Sequence, residues 1–156
     1  MDSFQESLAV MADLFGRDYH FALATTVDDI PSVRFIDTFY DQGIFYIVAH
    51  AKSQKVIELQ QNSAVALCNK LYRFSGKAYN IGHPLATENT GIRDKLIKVF
   101  EPWYFAHNNE NDPDMCYIKI EPTKGFFYKN GKGYQVDFAN RTASVFPFDF
   151  DIIPIN

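Results

Sequence analysis

Three apolar segments in the first third of the chain follow one another with only tight turns between them. They read YHFALATT at residues 19–26, SVRFIDTFY at 32–40 and IFYIVA at 44–49, and β-branched and aromatic residues dominate all three. The turns at residues 27–31 and 41–43 contain Asp, Gly and Pro, which favour reversals of the chain. Strands joined by such short turns pair antiparallel, because a parallel pair needs a longer crossover. The sheet is therefore predicted to begin as an antiparallel meander.

The rest of the chain adds more short strands and few helices. Further strands are predicted at residues 64–69, 72–80, 115–120, 125–129 and 134–138. Amphipathic spacing predicts helices at residues 3–15, 53–61 and 90–100, with Ser3 and Ser53 as caps of the first two. The apolar segment after Asn140 is expected to cover a sheet edge or a partner subunit. This pattern is typical of a mainly β fold with flanking α-helices, built as a closed or half-closed antiparallel barrel.

Composition and charge exclude several classes of protein. The 156 residues form one domain, residues 1–156, and a net charge of −4 without any run of Lys or Arg argues against nucleic-acid binding. Cys68 and Cys116 lack metal-ligand spacing, so no metal site is expected, and Cys68 is predicted to lie in the core. The longest apolar run, residues 44–49, is too short to span a membrane, and the first residues lack a signal-peptide pattern. A cytoplasmic protein is expected.

One group of polar residues predicts an anion site. Arg34 lies in the middle of a strand, where a half-buried guanidinium needs an anion. Ser53 and Lys55 open the helix that follows the third strand, and a helix N-terminus carries partial positive charge and free N–H groups. Together they would hold a dianionic phosphate monoester. Singly, Arg34 reads as a structural ion pair with Asp37 or Asp28, Ser53 as a cap, and Lys55 as a solvated charge.

The order of several short motifs resembles a known family. FALATT, PSVR, IFYIVA, SQK and SGKA follow one another as in the pyridoxamine 5′-phosphate oxidase-like family of FMN-binding split β-barrels. The resemblance covers residues 4–129. It is strongest to the small general-stress-protein branch, whose later helix and Asp-Pro-Asp turn look like residues 93–105 and 112–114. The resemblance implies an antiparallel split β-barrel of the FMN-binding type.

The resemblance also implies which residues bind the cofactor. Arg34, Ser53 and Lys55 match the residues that hold the FMN phosphate in the family, and the isoalloxazine ring would lie along residues 33–36 and the end of the next strand. The complete predicted set is Arg34, Ser53, Lys55, Val33, Phe35, Val48, Ala49, His50 and Gln54. The family is typically a homodimer with the flavins at the subunit interface. Trp103 and Tyr104 are candidates to complete the partner's site.

Three positions depart from the family pattern. Ala49 replaces a Thr that often binds phosphate, Gln54 replaces a second basic residue, and Phe39 stands where the true oxidases have a substrate-binding Lys. A true pyridoxamine phosphate oxidase is therefore not expected.

The expected function is that of an FMN-binding flavoprotein, an oxidoreductase that exchanges electrons or hydride with a small-molecule redox partner. Two alternatives stay open: a deazaflavin or haem in the same groove, or a cofactor-binding or stress-response module without turnover. No residue reads as a dedicated catalytic acid or base. His50 adjoins the predicted phosphate loop, whereas Asp112 and Asp114 read as a turn.

Overall fold

The computed structural model describes residues 1–149, and most of them lie in strands. The eight strands are β1 (Tyr19–Val27), β2 (Ile30–Asp41), β3 (Ile44–His50), β4 (Ala64–Asn69), β5 (Tyr72–Gly82), β6 (Met115–Lys129), β7 (Lys132–Asp137) and β8 (Thr142–Pro147). The helices are α1 (Ser3–Phe15), α2 (Gln54–Gln61), α3 (Thr90–Val99) and the single turn α4 (Tyr104–His107), with a 3₁₀ turn at Thr87–Asn89. None of these helices is long and apolar enough to cross a membrane.

Six of the strands close into an antiparallel barrel. The sheet runs in the order β3-β2-β1-β4-β5-β6-β7-β8, and an additional pairing of β3 with β6 closes the first six strands on themselves. The meander of β1, β2 and β3 forms as predicted. Asp28 and Asp29 in its first turn have φ values of 52° and 62°, the left-handed conformation that a two-residue hairpin turn requires. The fold class predicted from the sequence is confirmed.

The barrel is split between β2 and β3. These strands pair only at their common turn, from Phe39 opposite Tyr46 to Asp41 opposite Ile44. Beyond that point β2 continues to pair with β1, and β3 continues to pair with β6. The facing edges of the two strands, residues 33–38 and 47–50, have no backbone ladder between them. A gap lined by peptide groups therefore separates these two segments.

Aromatic rings fill the interior of the barrel. Phe15 at the end of α1 lies at the centre, with its ring centroid 5.0 Å from that of Tyr19, 5.3 Å from Phe21 and 6.0 Å from Phe45. The high aromatic content of the chain thus serves first to pack the core. Helix α1 enters the core after a capping box, in which Asp2 and Gln5 bond to each other's backbone N–H groups. The cap predicted at Ser3 therefore lies one residue earlier, at Asp2.

A second apolar cluster lies on the outside of the barrel. Helices α3 and α4 cover the outward side chains of β2, β3 and β6, and the buried members are Phe39, Leu96, Phe100, Tyr104, Met115 and Tyr117. Phe39 is thus a core residue in this chain. The apolar stripe predicted for α3 faces this cluster.

Several sequence predictions about elements are corrected by the structure. Residues 115–120 and 125–129 belong to one strand, β6, and not to two. Strand β8 and the turn α4 were not predicted. Strand β8 pairs with β7, so the segment after Asn140 covers a sheet edge up to Pro147, whereas residues 150–156 lie outside the described residues. Cys68 points outward from β4 and is exposed, because the strand alternation places Leu67 inside.

Candidate functional site

The predicted site has residues on β2, such as Arg34, and at the start of α2, such as Ser53 and Lys55. The structure brings these two groups to the same end of the barrel. Arg34 on β2 reaches across to α2, where its Nη2 lies 3.1 Å from Glu58 Oε2. Strand β3 then leads directly into α2. The predicted residues of β2, of β3 and of the start of α2 therefore share one end of the barrel.

The N-terminus of α2 presents free backbone donors at this end. Ser53 occupies the N-cap position, but its hydroxyl donates to the carbonyl oxygen of His50 at 2.7 Å and does not cap the helix. Within residues 1–149 the backbone N–H groups of Gln54, Lys55 and Val56 have no acceptor. Because such groups attract negative charge, the helix start is suited to an anion. The capping role predicted for Ser53 is not seen.

Lys55 is a half-buried ammonium group beside these donors. No carboxylate within residues 1–149 lies close enough to form an ion pair with it. Burial lowers the pKa of Lys55, and the positive charge of Arg34 lowers it further. A cation held in this way is stabilised by any anion that approaches it. The alternative reading of Lys55 as a solvated surface charge does not describe this environment.

Arg34 lies inside the same end of the barrel and has partners in its own chain. Its Nη1 donates to Thr25 Oγ1 at 2.7 Å and to the Leu23 carbonyl oxygen at 3.3 Å, and its Nη2 is 3.1 Å from Glu58 Oε2. Only 25% of the Arg34 side chain and 9% of the Glu58 side chain are exposed. The structural ion pair considered for Arg34 therefore exists, but its partner is Glu58 and neither Asp37 nor Asp28.

The carboxylate of Glu58 is held by neutral donors as well. The Thr25 hydroxyl donates to Oε2, and Gln54 Nε2 donates to Oε1 at 2.9 Å. These two hydrogen bonds, with the Arg34 guanidinium as a further contribution, lower the pKa of Glu58 to about 2. Glu58 is therefore ionised at neutral pH. Gln54, which replaces a basic residue of the family pattern, contributes to the site by orienting this carboxylate.

His50 ends β3 with both ring nitrogens engaged. The backbone N–H of Lys52 donates to Nδ1 at 3.2 Å, so Nε2 carries the proton of the neutral ring and donates to Asp112 Oδ2 at 3.0 Å. His50, Asp112 and Asp114 lie close enough together for a metal ion. A metal-bound Nε2 would need its proton on Nδ1, which faces the N–H of Lys52. Lys52 also pairs with Asp114 at 3.2 Å, so this cluster is satisfied without a metal.

A cleft of about 370 Å³ opens between the end of β3, the start of α2 and the loop that precedes β6. Its lining residues are Val48, Ala49, His50, Lys55, His107, Asn108, Asn109, Asp112 and Met115. Four of the nine predicted site residues are among them. Lys55 supplies the only ammonium or guanidinium group in this lining, so the cleft has one strong cation on one wall.

A buried network fixes the loop wall of the cleft. Glu110 accepts from Arg93 through both carboxylate oxygens, at 2.9 and 2.6 Å, and from the Tyr104 hydroxyl at 2.9 Å. The Tyr104 hydroxyl also lies 2.5 Å from that of Tyr117. Burial raises the pKa of Tyr104, and the hydrogen bond with Tyr117 raises it further. The wall is thus anchored to α3, α4 and β6.

The same network removes one of the predicted partner contacts. Tyr104 is completely buried within its own chain, so the expectation that it reaches the partner's site is wrong. Trp103 is half-buried, packs on Phe100 with a centroid distance of 4.5 Å, and donates to Asp18 Oδ2 at 2.8 Å.

Val33 and Phe35 point away from the cleft. Strand alternation places Arg34 inward and these two side chains outward, where they are 70% and 73% exposed. On the neighbouring strands they lie beside Ala24 and Ala22. Only the backbone of Val33 and Phe35 borders the gap, and their side chains belong to an apolar outer surface of the barrel.

Two important residues of the site were not found from the sequence. The apolar residues Val56, Ile57 and Leu59 were expected to face inward from α2, and Glu58 was not singled out; the structure shows Glu58 buried and Ile57 exposed. A charged residue at i+3 from Lys55 was the available signal, because these positions share one face of a helix. Thr25 is ordinary in the sequence, and only the β1–β2 register, which pairs Leu23 with Arg34, brings it beside the guanidinium.

Comparison with known proteins identifies the fold. No protein-family model matches the chain, and no curated protein is similar to it in sequence. Among solved structures, General Stress Protein 26 from Bacillus anthracis str. Sterne superposes with a TM-score of 0.58 at 19% identity, over 78% of this chain and 91% of its own. A Listeria innocua protein provisionally named a pyridoxamine 5′-phosphate oxidase gives 0.56 at 16% identity, over 78% and 94% of the two chains.

The fold is the split β-barrel of the pyridoxamine 5′-phosphate oxidase-like proteins. An FAD-binding protein from Mesorhizobium loti shares it, with a TM-score of 0.60 at 12% identity, over 75% of this chain and 90% of its own. The split barrel therefore carries flavin in at least one similar structure. The resemblance to this fold that the sequence suggested is confirmed.

Proposed function

We propose that this protein is an FMN-binding flavoprotein, and that it works as an oxidoreductase with a small-molecule redox partner. One observation carries the proposal: the half-buried Lys55 ammonium has no carboxylate partner within residues 1–149 and lies next to the free N–H groups of α2, in the lining of the cleft at the end of β3. A phosphate monoester is the flavin group that such donors bind. The two free thiols favour a reducing compartment, so we place the protein in the cytoplasm.

The residues present fit a flavin phosphate and a flat ring. Lys55 and the amides of residues 54–56 would hold the phosphate, and the unpaired edges at residues 33–38 and 47–50 would offer peptide donors and acceptors to the ring. A bound flavin would supply the electron or hydride transfer. The chain itself would bind and orient it. His50 would support the phosphate loop through its carbonyl oxygen, which accepts from Ser53.

A binding experiment tests the proposal directly. The purified protein is titrated with FMN, riboflavin, a deazaflavin and haemin, and binding is followed by flavin fluorescence and absorbance. We expect FMN to bind more tightly than riboflavin, because only FMN carries the phosphate. Equal affinities for FMN and riboflavin would contradict the role given to Lys55. Tighter binding of haemin or the deazaflavin would assign the cleft to that cofactor instead.

Removing the Lys55 ammonium should weaken FMN binding. A hydrogen bond to a charged group contributes about 1.5–3 kcal/mol, so Lys55→Ala should raise the FMN dissociation constant by roughly 10- to 150-fold while leaving riboflavin binding nearly unchanged. Lys52→Ala is the matched control, since Lys52 is exposed, pairs with Asp114 and lies three residues earlier. Fluorescence titration of both variants measures the difference. Equal losses in the two variants would show that overall charge, and not the site, governs binding.

We further propose that the protein is a homodimer and that a second copy completes each cofactor site. The outer face of β2, β1 and β4 presents a continuous apolar surface, formed by Val33, Phe35, Ala22, Ala24, Ala66 and Cys68. This surface adjoins the gap, because Val33 and Phe35 share their strand with Arg34. Exposed apolar surface of this kind is typical of subunit interfaces.

A further inference from the structure

The carboxylate of Glu58 lies beside Arg34, at the position where the sequence predicted the phosphate of a ligand. It lies 3.1 Å from Arg34 Nη2 and is 9% exposed. Thr25 and Gln54 donate to its two oxygens from β1 and from the first turn of α2. Strand β1 and helix α2 therefore hold this carboxylate on the guanidinium of β2. The arrangement is fixed by packing and does not depend on a flexible surface side chain.

The pair changes the charge that a ligand would meet. Arg34 and Lys55 each contribute one positive charge and Glu58 contributes one negative charge, so the three groups together carry a single positive charge. Lys55 and Glu58 are three residues apart on α2 and share a face of the helix. Nevertheless, the carboxylate pairs with Arg34, and no ion pair joins it to Lys55 within 4 Å. Lys55 is thus left as the free cation of the group.

We infer that Glu58 sets the affinity and phosphate selectivity of the cofactor site, by withholding Arg34 from the ligand. This inference rests on the proposed flavin function. A dianionic phosphate would then be held by Lys55 and the α2 amides, while Arg34 serves to neutralise Glu58. The wild-type site would bind a phosphate-bearing flavin more weakly than its two cations allow. Neutralising Glu58 should release Arg34 for the phosphate.

The test compares Glu58→Gln with the wild type by fluorescence titration. Gln keeps the length and the carbonyl acceptor of Glu but removes its charge. We expect the FMN dissociation constant to fall at least about tenfold, since one charged hydrogen bond is gained, and the riboflavin constant to change by less than about threefold. Glu121→Gln on β6, which pairs with Lys119 outside the cleft, is the matched charge control and should change neither constant.

A double variant keeps the inference testable even where Glu58→Gln does not fold. Arg34→Gln alone leaves the charge of Glu58 uncompensated, so the FMN dissociation constant should rise at least about tenfold. Arg34→Gln combined with Glu58→Gln removes both charges of the pair, so the dissociation constant should stay within about threefold of the wild-type value. If the double variant loses as much affinity as Arg34→Gln alone, Arg34 binds the phosphate directly and the inference is wrong. FMN binding by the wild type with no gain in Glu58→Gln also overturns it. Absence of FMN binding in every variant overturns the proposed function instead.

Discussion

At the scale of single residues, the site contains one carboxylate whose partners come from three elements: Thr25 on β1, Arg34 on β2 and Gln54 on α2 surround Glu58. These contacts are not those of a surface ion pair, because the carboxylate is almost fully excluded from solvent. They tie α2 to the first two strands. The stability of this end of the barrel therefore depends on the charge of Glu58.

Acid should weaken this end of the barrel in a defined pH window. The hydrogen bonds from Thr25 and Gln54 and the contact with Arg34 lower the pKa of Glu58 from 4.5 to about 2. A lowered pKa in the folded state stabilises the fold above pH 4.5, and this contribution is lost as the pH falls towards 2. The difference in thermal midpoint between the wild type and Glu58→Gln should therefore be constant above about pH 5 and shrink below it. A difference that does not change between pH 6 and 2.5 would contradict the assigned pKa.

Part of the site could be predicted at this scale. Arg34, Ser53 and Lys55 could be found from the sequence, because a strand Arg and a polar helix start are local signals. Their final partners could not. The pairing of Arg34 with Glu58 depends on which face of α2 turns inward, and for a helix of eight residues the apolar residues Val56, Ile57 and Leu59 do not decide that face. Tertiary contact with β1 and β5 decides it.

At the scale of elements, β6 connects the closed barrel to the β7–β8 extension. Its first part pairs with β3 and its last part with β7, and β5 runs along both. Pro122 and Gly125 interrupt the strand pattern in the sequence, so two strands were predicted where there is one. In the structure the ladder shifts register between Ser75 and Gly76, and this bulge accommodates Pro122 on the partner strand.

The bulge should be sensitive to a single methyl group. A Cβ at Gly76 would lie 2.5 Å from the backbone oxygen of Glu121, and neither strand can move without breaking the ladder. We expect Gly76→Ala to lower the free energy of unfolding by about 1–3 kcal/mol. Gly91→Ala is the control: a Cβ there meets no atom within 4 Å and lies in α3, so stability should rise by up to about 1 kcal/mol. Chemical denaturation measures both, and equal effects would contradict the close approach at Gly76.

The helices show what local patterns can and cannot predict. Helix α3 and the face that it buries could both be predicted, because apolar residues recur there with the 3.6-residue period of a helix. The turn α4 has only four residues, and no period can be recognised in so short a segment. Tyr104 in that turn is buried through hydrogen bonds with Tyr117 and Glu110, which are 13 and 6 residues away in the chain. Such contacts are set by the fold and are not visible in local sequence.

At the scale of the whole molecule, the apolar outer face at Val33 and Phe35 is the surface that we propose a second copy covers. Both side chains are largely exposed, and the neighbouring outward residues of β1 and β4 are the small apolar residues Ala22, Ala24, Ala66 and Cys68. Covering it in a symmetric dimer would bury the two exposed side chains of each copy. The free energy gained by such burial is roughly 25 cal/mol per Å² of apolar area.

A charge on this face should separate the subunits. If the proposed dimer forms through this face, we expect Phe35→Asp to convert it into monomers, because an unpaired carboxylate would be buried in an apolar contact. Leu85→Asp is the control, since Leu85 is 58% exposed and lies in the loop before α3, outside the three strands that form this face. Light scattering after gel filtration gives the mass of each variant. A wild-type protein that is monomeric at all concentrations would contradict the proposed dimer.

The separation of β2 from β3 affects how far the sequence of such a barrel can change. Whatever enters the opening meets main-chain atoms, and substitutions change side chains while leaving those atoms in place. Barrels of this fold could therefore differ at most residues and still keep the recess, in agreement with superposable structures at 19% identity and below. Alanine scanning would likewise miss the part of ligand binding that comes from backbone N–H and C=O groups, because it changes only side chains.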